Sequence, residues 1–234
     1  AVSDTATTTE NSAVVISNAT LVANDTDPAN PNGSGGSPVN DPLLVTGVGI
    51  PNNGGTVRVD GSGDVTFDPG SDFDYLAVGE SAVTTFTYTI SDGDGGSSSA
   101  SVAVTVTGQN DDPVITVGAG DSDSEGLDET NAGLTTNGTL SVEDLDTTVT
   151  VDASVISVVT GGDDNGIDNA TLLAMLDVGA NPPVEVIDGS NTTGTINWAF
   201  DSGSEAFDHL AHGETLTLTF TIRVVDSEGA SDTQ

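Results

Sequence analysis

The chain has 234 residues, of which 37 are Asp or Glu and only Arg58 and Arg223 are Lys or Arg, for a formal net charge of −35 at pH 7. That balance excludes nucleic acid and anionic membrane surfaces as partners, since both need basic surface. There is no cysteine to form a disulfide, and no run of about 18 apolar residues to insert in a membrane. Such charge opposes compaction unless dissolved or bound cations offset it. The opening "AVSDTATTTE" lacks the basic start and apolar centre of a signal peptide, and the chain reads as an excerpt of something longer.

Aromatic residues make up 4% of the chain, while Val, Ile, Leu, Thr and Gly are plentiful, which is a β composition with many turns. After Glu10, "ATLVA" reads as a strand that ends in the acidic stretch "NDTDPANP", Asn24 to Pro31, where proline stops it. "TVRVDGSGDVTF" predicts a hairpin: Val57 and Val59, a turn at Asp60–Gly63, then Val65 and Phe67. Phe86, Tyr88 and Ile90 alternate with threonines, and Val102, Val104 and Val106 alternate in the same way. In "VTGQNDDPVITV" the strand ends near Thr107 and Pro113 blocks its continuation. "DNATLLAML", Asp168 to Leu176, predicts the single convincing helix, capped by Asp168 and striped by Leu172, Leu173 and Leu176. "GTINWAF" sets Ile196, Trp198 and Phe200 on one face, and Leu216 to Val224 alternate with threonines and Arg223. Period-two patterns of this kind put one face in a core and the other in water.

The chain also repeats itself. "FDYLAVGESAVTTFTYTISDGDGG" from Phe73 matches "FDHLAHGETLTLTFTIRVVDSEGA" from Phe207 at a constant offset of 134, with Phe86 on Phe220, Ile90 on Val224 and Asp92 on Asp226. Upstream, an offset of 119 puts Glu10 on Glu129 and "TLVANDTD" from Thr20 on "TLSVEDLD" from Thr139. The extra residues of the second copy surround the predicted helix. The expected fold is all-β: two tandem Greek-key β-sandwiches over residues 1–109 and 114–234, joined by a linker at 110–113. The second carries a short inserted helix and lacks its last strand, because "SASVAVTVTG" follows the first copy whereas the second stops at "SEGASDTQ".

Both copies carry the same acids: Glu10 and Glu129, an Asp-x-Asp (Asp25 and Asp27; Asp144 and Asp146), and a late aspartate (Asp92; Asp226). Asn110, Asp111 and Asp112 lie between them. Single surface aspartates are usually turn formers, but repetition at fixed offsets points to a cation site. Calcium fits, because it takes about six to eight oxygens from carboxylates, Asn side chains and carbonyls in irregular geometry. Zinc would want His or Cys, and magnesium fewer protein ligands. His209 and His212 lie near Asp208 and Glu214, but no nucleophile accompanies them and the matching first-copy positions are Tyr75 and Val78, so the chain reads as no enzyme.

"ENSAVVISNATLVANDTD", "GTVRVDGSGDVTFDP", "FTYTISDGDGG" and "NDDP" resemble the bacterial cadherin-like modules of giant secreted adhesins. "GTLSVEDLD", "GTINWAFDSG" and the block from Phe207 resemble the related VCBS repeat of the same RTX-type adhesins. The resemblance implies extracellular Ig/cadherin-type sandwiches strung in a rod on the bacterial cell surface, exported by a type I route and supporting adhesion and biofilm formation. It implies monomeric modules whose partners are neighbouring modules of the same chain. It also implies calcium bound by Glu10 with Asp72 or Asp74, then Asn110, Asp111 and Asp112, then Asp144, Asp146 and Asp226. Asp25, Asp27 and Asp92 would face a preceding module. The linker departs from the cadherin pattern "DxNDN" at Gln109 and Asp112. The runner-up is a sugar-, peptide- or ice-binding module near an adhesin tip, which needs an exposed aromatic platform or a flat threonine array; Trp198 and Tyr75 are expected in the core instead.

Overall fold

The computed structural model describes residues 1–26, 42–93, 95–179 and 183–234, which leaves Asp27 outside the described residues. The chain divides into two compact units, Ala1–Gln109 and Asn110–Gln234. Each unit is a β-sandwich of two sheets.

The first unit runs β1 (Asp4–Thr9), β2 (Val14–Ile16), α1 (Asn18–Leu21), β3 (Leu44–Val48), β4 (Thr56–Val59), β5 (Val65–Asp68), β6 (Ser81–Ser91) and β7 (Ser97–Thr107). One sheet has the order β1-β7-β6-β3 and the other β2-β5-β4. The β4–β5 hairpin pairs Val57 with Phe67 and Val59 with Val65, as the alternation predicts. Phe86, Tyr88 and Ile90 from β6 and Val102, Val104 and Val106 from β7 are buried against Ile16, Val65 and Phe67 of the other sheet. Phe67 stacks on Phe86, with ring centroids 6.5 Å apart. Each such side chain contributes on the order of 1.5–3 kcal/mol through burial, so this interface between sheets is what holds the unit together.

Two expectations need correcting here. "ATLVA" is not a strand: Asn18–Leu21 is a helical turn, because the Ser17 side chain caps it by accepting from Thr20 N at 3.2 Å. The strand signal of Leu21 and Val22 loses to that cap, and Leu21 is buried from a helical turn instead. Tyr75 is not a core residue; it is 42% exposed, because it lies in the turn between β5 and β6 rather than on a pleat.

The second unit runs β8 (Val114–Thr116), β9 (Thr135–Glu143), β10 (Thr150–Gly161), α2 (Asn169–Leu173), β11 (Leu176–Asp177), β12 (Val184–Asp188), β13 (Thr193–Asp201), β14 (Thr217–Asp226) and β15 (Ser231–Thr233). Its sheets have the orders β12-β10-β14-β15 and β11-β13-β9-β8. The inserted helix starts where the sequence puts it but is shorter than the expected Asp168–Leu176, because the chain leaves it after Leu173 and Leu176 pairs in β11: Asp168 caps α2 by accepting from Thr171 N at 3.0 Å, and Leu172 is buried with Val158, Met175 and Phe207. Ile196 and Trp198 face inward from β13. Trp198 pairs across the ladder with Gly138 and donates its Nε1–H to the Ser122 carbonyl at 2.8 Å. A Cβ at position 138 would collide with the indole ring, so glycine there makes room for the one tryptophan.

The last strand of this unit is short rather than missing. In β15, Ser231, Asp232 and Thr233 lie opposite Val225, Val224 and Arg223 of β14. In the first unit Ser97, Ser98 and Ser99 lie opposite Ser91, Ile90 and Thr89. All six positions match at the offset of 134, so β15 takes the place and register of the first residues of β7.

Candidate metal centre

Three aspartates of the second unit are buried. Asp144 is 1% exposed, Asp146 0% and Asp226 5%. Asp144 follows β9, Asp146 lies in the next bend, and Asp226 ends β14, so two strand ends and a loop bring them to one end of the sandwich. What covers them is the segment before β8. Asp111 N donates to Asp146 Oδ2 at 2.9 Å, and Asn110 Nδ2 donates to Asp226 Oδ2 at 2.7 Å. Asp146 N donates to Asp144 Oδ1 at 3.0 Å, while Gly229 N and Ala230 N donate to Asp226 Oδ1 at 2.5 and 2.8 Å.

These bonds orient the carboxylates without neutralising them. No lysine or arginine is in the set, and each donor is a backbone or amide N–H. Asn110 Oδ1 and Asp144 Oδ2 are buried without a hydrogen-bond partner. Burial chiefly, then the charges of Asp146, Asp226 and Asp111, pushes the Asp144 carboxyl up to about 6. Buried charge without a counter-charge is costly, and an oxygen-only donor set with orphaned oxygens is what a hard cation such as calcium takes. Among the described residues, no three Asp, Glu, His or Cys side chains already converge on a common point. The carboxylates are instead turned onto the N–H groups above, so ligation requires small rotations away from them. Asp112, the remaining linker acid, is exposed.

In the first unit Glu10 is 1% exposed, and its Oε1 accepts from Gln109 N at 2.6 Å. Asp72 is exposed and its Oδ2 holds Gly55 N at 2.7 Å, and Asp74 is half-buried. Asp25 and Asp92 are half-buried too. Asp25 Oδ1 accepts from Val2 N at 2.5 Å, and Asp92 Oδ1 accepts from Gly96 N at 2.8 Å. Beside Asp25, the buried Tyr88 hydroxyl donates to Asp4 Oδ2 at 2.7 Å, with the carbonyl oxygens of Val2 and Leu21 at 2.8 and 3.2 Å. Burial and the Asp4 contact hold this phenol far above its ordinary value. Asp25 and Asp92 thus tie down local backbone, whereas their second-unit counterparts, Asp144 and Asp226, are sealed under Asn110 and Asp111.

The match of Glu10 with Glu129 does not extend to burial. Glu129 is exposed and pairs with Asp208, whose carboxyl is raised by that hydrogen bond first, then by desolvation and the charges of Glu129 and Glu205. One acid went unnoticed in the sequence. The Glu80 carbonyl accepts from Gly108 N at 3.1 Å, and Glu80 Oε2 accepts from Ala77 N at 3.2 Å. Its counterpart at the offset of 134, Glu214, holds Ala211 N at 2.9 Å through the same turn, so the repeat itself carried the signal. His209 is half-buried, with Nε2 against the Asp163 carbonyl at 2.9 Å.

The family model of the bacterial cadherin-like domain matches residues 1–108. The first unit, just under half of the chain, is similar to a bacterial cadherin-like domain. Such a domain points to an extracellular, adhesion-type structural module. No curated protein matches the chain. Among solved structures, a protocadherin gammaB7 EC3–6 cis-dimer is similar with a TM-score of 0.42 and 16% identity over 99% of this chain and 44% of that one. The extracellular cadherin domains 3–6 of protocadherin gamma B2 give 0.37 and 15% over 82% and 37%, and mouse protocadherin-24 EC1–3 gives 0.32 and 14% over 82% and 55%. The chain spans 44% of the first of these, and likenesses this distant carry no argument. Among the described residues no helix is long and apolar enough to cross a membrane.

Proposed function

We propose that the chain is a calcium-rigidified pair of extender modules, a cadherin-like sandwich followed by a VCBS-type sandwich, from a large extracellular bacterial adhesin that supports attachment and biofilm formation. The observation that carries this reading is Asp144. It is a buried carboxylate with an unpartnered oxygen, pressed by three other acids and beneath an asparagine whose own oxygen is unpartnered. Calcium held by Asn110, Asp111, Asp144, Asp146 and Asp226 would offset that charge. It would also fasten the segment 110–113 to the second unit, fixing the stretch that joins the two units.

Extracellular calcium modules bind with Kd on the order of 10⁻⁴–10⁻³ M. At about a hundredfold excess over Kd, one site stabilises the folded state by roughly 2.7 kcal/mol. Calorimetric titration should find calcium binding in this range, lost or weakened at least about tenfold in Asp144→Asn and Asp146→Asn; unchanged affinity in both variants would refute the site. Small-angle scattering with calcium and with chelator tests the stiffening, and an interdomain distance distribution that does not narrow with calcium rejects it.

A second reading has one observation in its favour. The outward face of β1, β7 and β6 is uncharged: Thr7 lies beside Thr105, Thr87 beside Ser101 and Thr89 beside Ser99. Ordinary β propensity accounts for threonine on a solvated face. An ice or sugar surface would show thermal hysteresis or glycan-array binding that Thr87→Lys abolishes.

A further inference from the structure

Asn-Gly steps occur at Asn32, Asn137 and Asn165, the first of them outside the described residues. The other two sit in opposite environments. Asn137 is in β9 opposite Ala199, and Gly138 pairs with Trp198, so ladder and indole together hold that step extended. Asn165 is exposed in the loop from β10 to α2, with φ at +52°, and Gly166 follows at +71°. Left-handed backbone is uncommon outside glycine. Gly166 stands in open space, where an added Cβ would meet nothing within 4 Å.

Two carboxylates shape this turn. Asp163 Oδ1 accepts from Asn165 N at 2.9 Å, and Asp164 Oδ1 accepts from Gly166 N at 3.0 Å. Asp164 Oδ2 accepts in turn from Thr160 Oγ1 at 3.2 Å, and Ile167 N donates to the Asp164 carbonyl at 3.0 Å. The Asp164 carboxylate is therefore held against one particular amide. In an Asn-Gly step that amide nitrogen can attack the Asn side-chain carbonyl carbon, and it is a weak nucleophile until a base withdraws its proton. A carboxylate oxygen within about 2.6–3.2 Å of the nitrogen meets the geometric requirement for that base. Glycine leaves the approach open, because it has no Cβ.

We propose that Asn165–Gly166 is a self-modification site with Asp164 as its base, at which the chain's own backbone and water convert Asn165 to aspartate and isoaspartate. Asp164 takes the Gly166 N–H proton as that nitrogen bonds to Asn165 Cγ. The Cγ–Nδ2 bond breaks, and ammonia leaves with the proton. Water then opens the cyclic imide at either carbonyl, giving aspartate or its β-linked isomer. Ring closure needs rotation of the main chain at the asparagine, which an exposed turn allows and a paired strand opposes. Asn137 is thus a control built into the same molecule. The product adds a negative charge beside Asp163 and Asp164, and the isomer lengthens the main chain just before α2.

The test is peptide mapping by mass spectrometry, with fragmentation that separates aspartate from isoaspartate, on the 234-residue chain aged in neutral buffer. Asn165 should convert at least about tenfold faster than Asn137 in the folded chain. The two rates should draw together in denaturant, where the ladder around Asn137 is gone. Asp164→Asn should slow conversion at Asn165 severalfold and leave Asn137 unchanged, and Asp164→Glu should restore part of the rate. Loosening of the turn alone would speed conversion, so the sign of the change separates a base from a scaffold. Conversion at Asn165 no faster than at Asn137 in the folded chain overturns the proposal. So does an Asp164→Asn chain that converts as fast as the parent or faster.

Discussion

At Asp144 burial and like charge act in the same direction. The group's ordinary value is 3.8 and the folded protein raises it to about 6, so the folded state holds the proton more tightly than the unfolded chain. Stability therefore falls as pH rises between those two values and is level above them. In calcium-free buffer, melting curves should show Asp144→Asn gaining on the parent chain as pH climbs from 4 to 6. Calcium needs the ionised form, so adding it at neutral pH should reverse the order and leave the parent more stable. Calcium affinity should also weaken below about pH 6. A parent and variant that stay parallel across this window, with and without calcium, would rule out the site.

At the scale of elements, small contacts decide which pattern prevails. Helix α2 exists because Asp168 supplies its first turn with acceptors at 3.0 and 2.7 Å. Asp168→Ala should cost about 1 kcal/mol by denaturant titration. Strands β9 and β13 are held in register by the Gly138–Trp198 pair, where added volume has nowhere to go. Gly138→Ala should destabilise by roughly 1–3 kcal/mol, with a shift in tryptophan fluorescence as the indole moves off the Ser122 carbonyl. An unaltered emission spectrum would count against that packing. The alternating patterns of β6, β7, β13 and β14 were legible from residues alone, because a pleat sorts side chains whatever lies above it. The helical turn at Asn18 was not, because one serine cap outweighs a short run of strand formers.

For the whole chain, −35 charges on 234 residues make the solvent part of the stability. Screening shortens the Debye length from about 30 Å at 0.01 M to about 3 Å at 1 M salt, so in chelator the melting temperature should rise with sodium chloride. Calcium should give a larger rise at millimolar concentration than equal ionic strength of sodium does, because it acts at named oxygens rather than on the mean field. Equal effects of the two salts at matched ionic strength would reduce calcium to a screening ion.

Composition and periodicity by themselves determined the all-β class, the duplication and most of the core, since the pleat and the turn are local consequences of residue type. They also singled out Asp144, Asp146 and Asp226, because two offsets preserve those acids. Tertiary structure decided which acids are buried. Asn110 and Asp111 fold onto the second unit's aspartates, Asp25 and Asp92 remain half-exposed, and Glu129 stays in solvent although it matches buried Glu10. Burial depends on which loop closes over a strand end, and no spacing along the chain encodes that.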